Sequence, residues 1–182
     1  MVMSIKKIQD VLSFNEIQRE NLLGMLKIEA RLITLQDLMQ ASYFLIDDAQ
    51  YIQGSYRKEY IKAYTMAFIN RIKEVKECQQ STNEPLDVQE VHDAVSLLLE
   101  QEKEVGGEDG FDPAFFQIYK IISIYTTFIL EEPVHPVGTP FPGGLTVKYD
   151  GENYLCPVKE RQKDNPGAVC GFCVAEQDPD TI

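Results

Sequence analysis

Three of the chain's four cysteines fall within CPVKERQKDNPGAVCGFC, residues 156–173, and the last two form a CxxC. Thiolates are nucleophiles, redox centres or metal ligands. The spacing chooses among these. Cys170 and Cys173 stand two residues apart, which suits a tight turn whose backbone amides support two sulfurs bound to one metal. Cys156 lies fourteen positions before Cys170, at the expected end of a hairpin that can bring it alongside. A tetrahedral site needs a fourth ligand. The candidates are His135, Cys78 or an exogenous group such as water. His135 is preferred because it lies outside any helix, in a loop stiffened by Pro and Gly, where fixing a ligand loses less entropy. Cys78 is in register with the apolar stripe of a helix, so its plainer reading is a small buried hydrophobe. The expected site is Cys₃His zinc from His135, Cys156, Cys170 and Cys173. An iron–sulfur cluster is the alternative, since thiolates also suit iron and a Pro follows Cys156. A redox dithiol, or three neighbouring cysteines without metal, stands behind both.

Other chemistries fit less well. A zinc deaminase needs H-x-E and P-C-x-x-C; here Val137 stands two after His135 and Val169 precedes Cys170. A thioredoxin-like CxxC needs a βαβ context, which the pattern lacks. A di-iron bundle needs E-x-x-H on helices, and the match at Glu132–His135 is broken by Pro133. His92 borders an apolar helix face and reads as a core-edge histidine. Asp47 and Asp48 follow the apolar FLI of the second helix and read as a solvated helix face or a polar contact rather than a carboxylate pair for catalysis. Lys159, Arg161 and Lys163 alternate with Glu160 and Asp164, so a solvated helix is the default. Their other reading is to bind an anion or offset the net −1 of zinc, three thiolates and a neutral His. The glycines near residue 140 lack a following GK[ST] and serve a turn.

The elements that position these residues are mostly helical. A Ser13–Glu16 capping box is expected to open a helix bearing Leu22, Leu23, Leu26, Ala30 and Ile33. Thr34 is expected to cap a second, running from Leu35 to about Gln53 and ended by Gly54. Ser55 would cap a third, with Ile61, Tyr64, Phe68, Ile72, Val75 and Cys78 on one face. Val88, Val91, Val95 and Leu98 mark a fourth. Asp112 and Pro113 read as N-cap and first residue of a fifth, FFQIYKIISIYTTFIL, apolar around most of its circumference and closed by Pro133. Beyond it, Phe141–Gly144 fits a type II turn, a hairpin turns near Asp150–Gly151, and a short helix covers VKERQKDN. The expected architecture is mainly α: a bundle of about five helices at 1–132, with a small C-terminal hairpin and loop module at 133–182 packed on it as one compact unit.

Composition sets limits. The 182 residues carry a net charge of −12. Residues 1–132 hold 13 Lys/Arg against 22 Asp/Glu, and residues 133–182 hold 4 against 7. Such a surface repels phosphate backbones and anionic lipid. Neither nucleic acid nor membrane is an expected partner, and no apolar run reaches the ~18–20 residues of a span. No secretion signal is visible at MVMSIKKIQD, and clustered cysteines suit a reducing cytoplasm.

HPVGTPFPGG, YLCPVKERQ and NPGAVCGFC followed by VAEQ resemble the signature of an archaeal family found in methanogens, the domain of unknown function numbered 2115. The distinctive match covers about residues 133–177. The resemblance implies an archaeal, anaerobic cytoplasm in which zinc and iron–sulfur chemistry are both feasible. It brings no activity with it. The expected function is a helical binding or interaction protein with a structural Cys₃His zinc site, with a protein partner or a homodimer as its assembly. The alternatives are a metalloenzyme with an open Cys₃ zinc site and His135 as acid or base, and an iron–sulfur or redox protein.

Overall fold

The structure is a computed structural model that describes residues 7–52, 54–79, 82–107 and 111–181. Gln53, part of QQSTNEP and part of KEVGGEDGFD lie outside them. Five long helices dominate: α1 (Arg19–Leu32), α2 (Leu35–Asp48), α3 (Gly54–Glu77), α4 (Val88–Glu102) and α5 (Pro113–Tyr125). The mainly helical expectation stands.

α5 is the axis of the core. Phe116, Ile118, Ile121, Ile122, Ile124 and, just beyond it, Ile129 are almost wholly buried, each contributing about 1.5–3 kcal/mol of apolar burial. α1, α2, α3 and α4 all pack against α5. Together with the turn that follows it, Pro113–Leu130 is long and apolar enough to cross a membrane by length and composition, which corrects the expectation drawn from the shorter run. It is 72% buried inside the protein, as a core helix is.

Asp112 starts α5 as expected. Its carboxylate accepts from the Ala114 and Phe115 amides at 2.9 and 3.0 Å, and from Gln40 Nε2 at 2.8 Å. Asp112→Ala should cost about 1–2 kcal/mol in urea denaturation, with Asp112→Asn restoring most of it. An equal loss in both variants would count against a capping role. Thr34 also caps as expected, accepting from Asp37 N at 3.2 Å.

Three boundaries differ from expectation. Ser13 ends a short 3₁₀ turn, Ile8–Ser13, and donates to the Asp10 carbonyl. The chain then pairs as β1 (Ile17–Gln18) with β2 (Pro85–Leu86), so α1 can begin only at Arg19. α2 ends at Asp48 in a 3₁₀ turn, and Gly54 is the first residue of α3 rather than a terminator; Ser55 lies inside the helix. After α5 the helix widens into a π turn, Thr126–Leu130, and stops at Glu131 in the left-handed region (φ 55°), before Pro133 is reached.

The C-terminal segment holds short strands. β3 (Pro140–Phe141) and β4 (Leu145–Thr146) flank the expected type II turn, with Gly143 at φ 82°. β5 (Lys148–Tyr149) pairs antiparallel with β6 (Tyr154–Cys156) across the Asp150–Gly151 turn. β7 (Glu176–Gln177) then adds parallel to β6, placing Cys156 opposite Gln177. This return strand sets the end of the CxxC loop beside Cys156. Val134 and Val169 join the helical core, and Phe172 packs on it. On the far side, Leu35, Met39, Tyr43 and Ile46 leave an apolar stripe of α2 exposed.

Candidate functional site

Cys156, Cys170 and Cys173 lie close enough to act on one another electrostatically. Cys156 is buried; Cys170 and Cys173 are half-buried. Burial raises the Cys156 and Cys170 thiols, Cys170 to about 11, and Cys173 acts on both. The amides of Val158 and Lys159 hydrogen-bond the Cys156 sulfur. Such donors favour the thiolate over the thiol.

Lys159 is more than a solvated charge. It opens the short helix α6 (Lys159–Gln162), and its ammonium donates to the carbonyls of Cys170 and of Cys173, the latter at 2.7 Å. It also favours the thiolates of Cys156 and Cys170. Lys163 pairs with Glu160 at 2.7 Å, as the solvated reading expects. The rest of the loop is held from the bundle. Gln101 of α4 donates to the carbonyls of Pro166 and Ala168, at 2.7 and 3.2 Å. The Val169 backbone hydrogen-bonds Tyr119 of α5, whose hydroxyl is raised by burial and by Cys170. Gly171 packs closely: a Cβ there would stand 3.0 Å from the Lys163 carbonyl oxygen, a contact that would need a small local shift.

Among the described residues, however, no group of three or more His, Cys, Asp or Glu side chains is arranged so that it could hold a metal ion. The thiols are neighbours that act on one another, and a metal would have to draw them inward. His135 sits in different company. Its Nε2 is hydrogen-bonded to the Tyr64 hydroxyl, and its ring meets Tyr64 and Phe141 edge-on. Burial lowers its pKa to about 4, so the neutral ring is the one that fits. Cys78 packs against the core and hydrogen-bonds Tyr125. His92 meets the Val11 carbonyl at 3.0 Å, a core-edge role.

The sequence did not disclose a cleft of about 700 Å³ beside the CxxC loop. Gly171, Phe172, Cys173 and Val174 form one wall; Leu86, Glu90, Ala94 and Leu97 form another. The π turn contributes Thr127 and Phe128, and Arg19 reaches in from the start of α1. Phe172 stacks on Phe128 with ring centroids 6.4 Å apart. The sequence carries no local signal for this site, because its walls come from four separated segments.

A family model described as an uncharacterised protein conserved in archaea, DUF2115, matches residues 18–178. A UPF0305 protein of Methanothermobacter thermautotrophicus is 43% identical over 159 residues, covering 87% of this chain and 96% of its own length. A second from the same organism is 35% identical over 152 residues, covering 82% of this chain and 90% of its own length. A UPF0305 protein of Methanopyrus kandleri is 35% identical over 129 residues, 70% of this chain and 88% of its own length. No solved structure matches.

Proposed function

The chain belongs to the archaeal DUF2115 family, and we propose that it is a binding protein whose Cys156, Cys170 and Cys173 hold one zinc ion that fastens the CxxC loop to β6 within the C-terminal segment. The observation that carries this reading is the mutual electrostatic action of three thiols from β6 and the CxxC loop, with amides at the Cys156 sulfur and the Lys159 ammonium beside them. Three thiolates and Zn²⁺ leave a charge of −1, which Lys159 offsets. Zinc suits such a ligand set, and a site of this kind contributes directly to folding. A reduced archaeal cytoplasm would keep the thiols available.

His135 is left out of this ligand set because Tyr64 and Phe141 already enclose it. The fourth position then falls to water or another exogenous group. Cys173 lines the cleft, and this favours a second reading in which that position is exchangeable and the metal takes part in chemistry.

Elemental analysis of anaerobically purified protein, with an absorption spectrum of the same sample, tests the proposal. The expected result is about one zinc per chain without visible absorbance. Zinc loading in weakly buffered solution should release protons, because thiols protonated near neutrality must ionise to bind, and affinity should rise with pH. Iron with sulfide and a broad band at about 400 nm would replace zinc with a cluster. Protein free of metal that takes up none on titration would overturn the reading.

A further inference from the structure

We propose that the cleft between α4, the π turn and the CxxC loop binds a small organic cation that carries an apolar body and a neutral hydrogen-bond acceptor. The proposal stands on the cleft's own atoms and does not need the zinc.

Size comes first. About 700 Å³ lies within the range of small-molecule sites, roughly 300–1,000 Å³. The walls supply the apolar contact: Leu86, Leu97, Phe128 and Phe172. They would receive a hydrocarbon or aromatic body.

Two polar atoms then ask for a partner. Thr127 lines the cleft and is only 7% exposed, yet its Oγ1 has no hydrogen bond; Arg19 also lines it, and its Nε is buried without one. A buried donor left unpaired costs about 1–3 kcal/mol, so each favours a ligand toward which a turn of its side chain can bring it. The local backbone has the same character. A π turn is rare and frequent at functional sites, and here it is followed by Glu131 in the left-handed region, a non-glycine residue that also lines the cleft.

Charge sets the ligand's sign. The terminal guanidinium nitrogen of Arg19 is already paired with Glu131 at 2.5 Å and Glu84 at 3.4 Å. An anion would compete with two carboxylates there. The Nε–H therefore suits a neutral acceptor, such as a carbonyl. Asp87, Glu90 and Asp93 stand exposed on the α4 side, and no ion pair to them is present among the described residues. They favour a cation at that end.

L-Phenylalaninamide has all three features: an ammonium, a neutral carbonyl and an aromatic ring. N-acetyl-L-phenylalanine keeps the ring and reverses the charge. Both would be titrated into the full-length protein as purified, followed by amide NMR. The amide probe should saturate with a dissociation constant on the order of millimolar, as a fragment of this size does. Its shifts should centre on Thr127, Phe128, Gly171 and Phe172. The anion should bind at least about tenfold more weakly, the effect of roughly 1.4 kcal/mol of charge discrimination. Glu90→Gln, a change on the exposed face, and Thr127→Val should each weaken the amide probe severalfold. No saturable shift at this site, equal affinity for the two probes, or full affinity in both variants would overturn the proposal. Zinc content measured on the same sample keeps this outcome separate from that of the metal reading.

Discussion

Protein carrying Cys170→Ser, purified anaerobically, is expected to lose nearly all of its zinc while keeping most of its helical signal. The substitution removes one of three proposed thiolate ligands and replaces it with a hydroxyl, a poor zinc ligand at neutral pH. Structural zinc supplies about 10–16 kcal/mol of apparent binding free energy in zinc-finger peptides, so the loss of one ligand from three should reduce occupancy below detection after dialysis. The rest of the fold predicts what survives. α1 to α5 bury their core around Phe116, Ile121 and Ile122 without help from the thiols. The loop after β6 adds only Val169 and Phe172 to that core and is otherwise fastened at a few points, by Lys159, Gln101 and Tyr119. Limited proteolysis should therefore cut the variant between residues 157 and 175 before the helices. Cys78→Ser is the matched control, expected to keep its zinc, since that side chain meets Tyr125 rather than the cluster. A Cys170→Ser protein with full zinc and unchanged thermal stability would remove the metal from this site.

Local signals carried much of the fold into view. Asp112 before Pro113, and Thr34 before Leu35, announce helix starts because capping is settled within four residues. The turns at Gly143 and at Asp150–Gly151 are legible for the same reason. The Ser13 box failed because a distant partner overrode it: Ile17 pairs with Leu86, and a residue held in a strand cannot begin a helix. Gly54 misled because nothing in its own chemistry distinguishes the end of one helix from the start of the next.

The candidate site divides along the same line. The cysteines could be grouped from spacing, although the parallel β6–β7 pairing that returns the end of the CxxC loop to β6 could not be read there. The role of Lys159 was hidden because its partners are backbone carbonyls, which every residue has. The cleft was invisible for a stronger reason. Arg19, Glu90, Thr127 and Phe172 are unremarkable singly, and only the tertiary fold leaves polar atoms of two of them without partners.

His135 carries the second large effect, on the pH dependence of stability. The ring is packed between Tyr64 and Phe141, and burial lowers its pKa from 6.5 to about 4. The folded protein therefore binds this proton less readily than the unfolded chain. The stabilisation is fully present above about pH 6.5 and is lost as pH falls toward 4. A shift of this size corresponds to about 2–3 kcal/mol over that window. Urea denaturation of the wild type and of His135→Gln, at matched pH values from 7 to 4, isolates the contribution. The variant should be less stable at pH 7, and the gap should narrow by about 2–3 kcal/mol on acidification. Taking the difference cancels what the carboxylates and the thiols contribute over the same window. The same variant bears on the metal, because a ring satisfied by the Tyr64 hydroxyl is not needed as a ligand. His135→Gln protein should keep the zinc of the wild type. Lost zinc together with a gap that does not change with pH would return His135 to the ligand set.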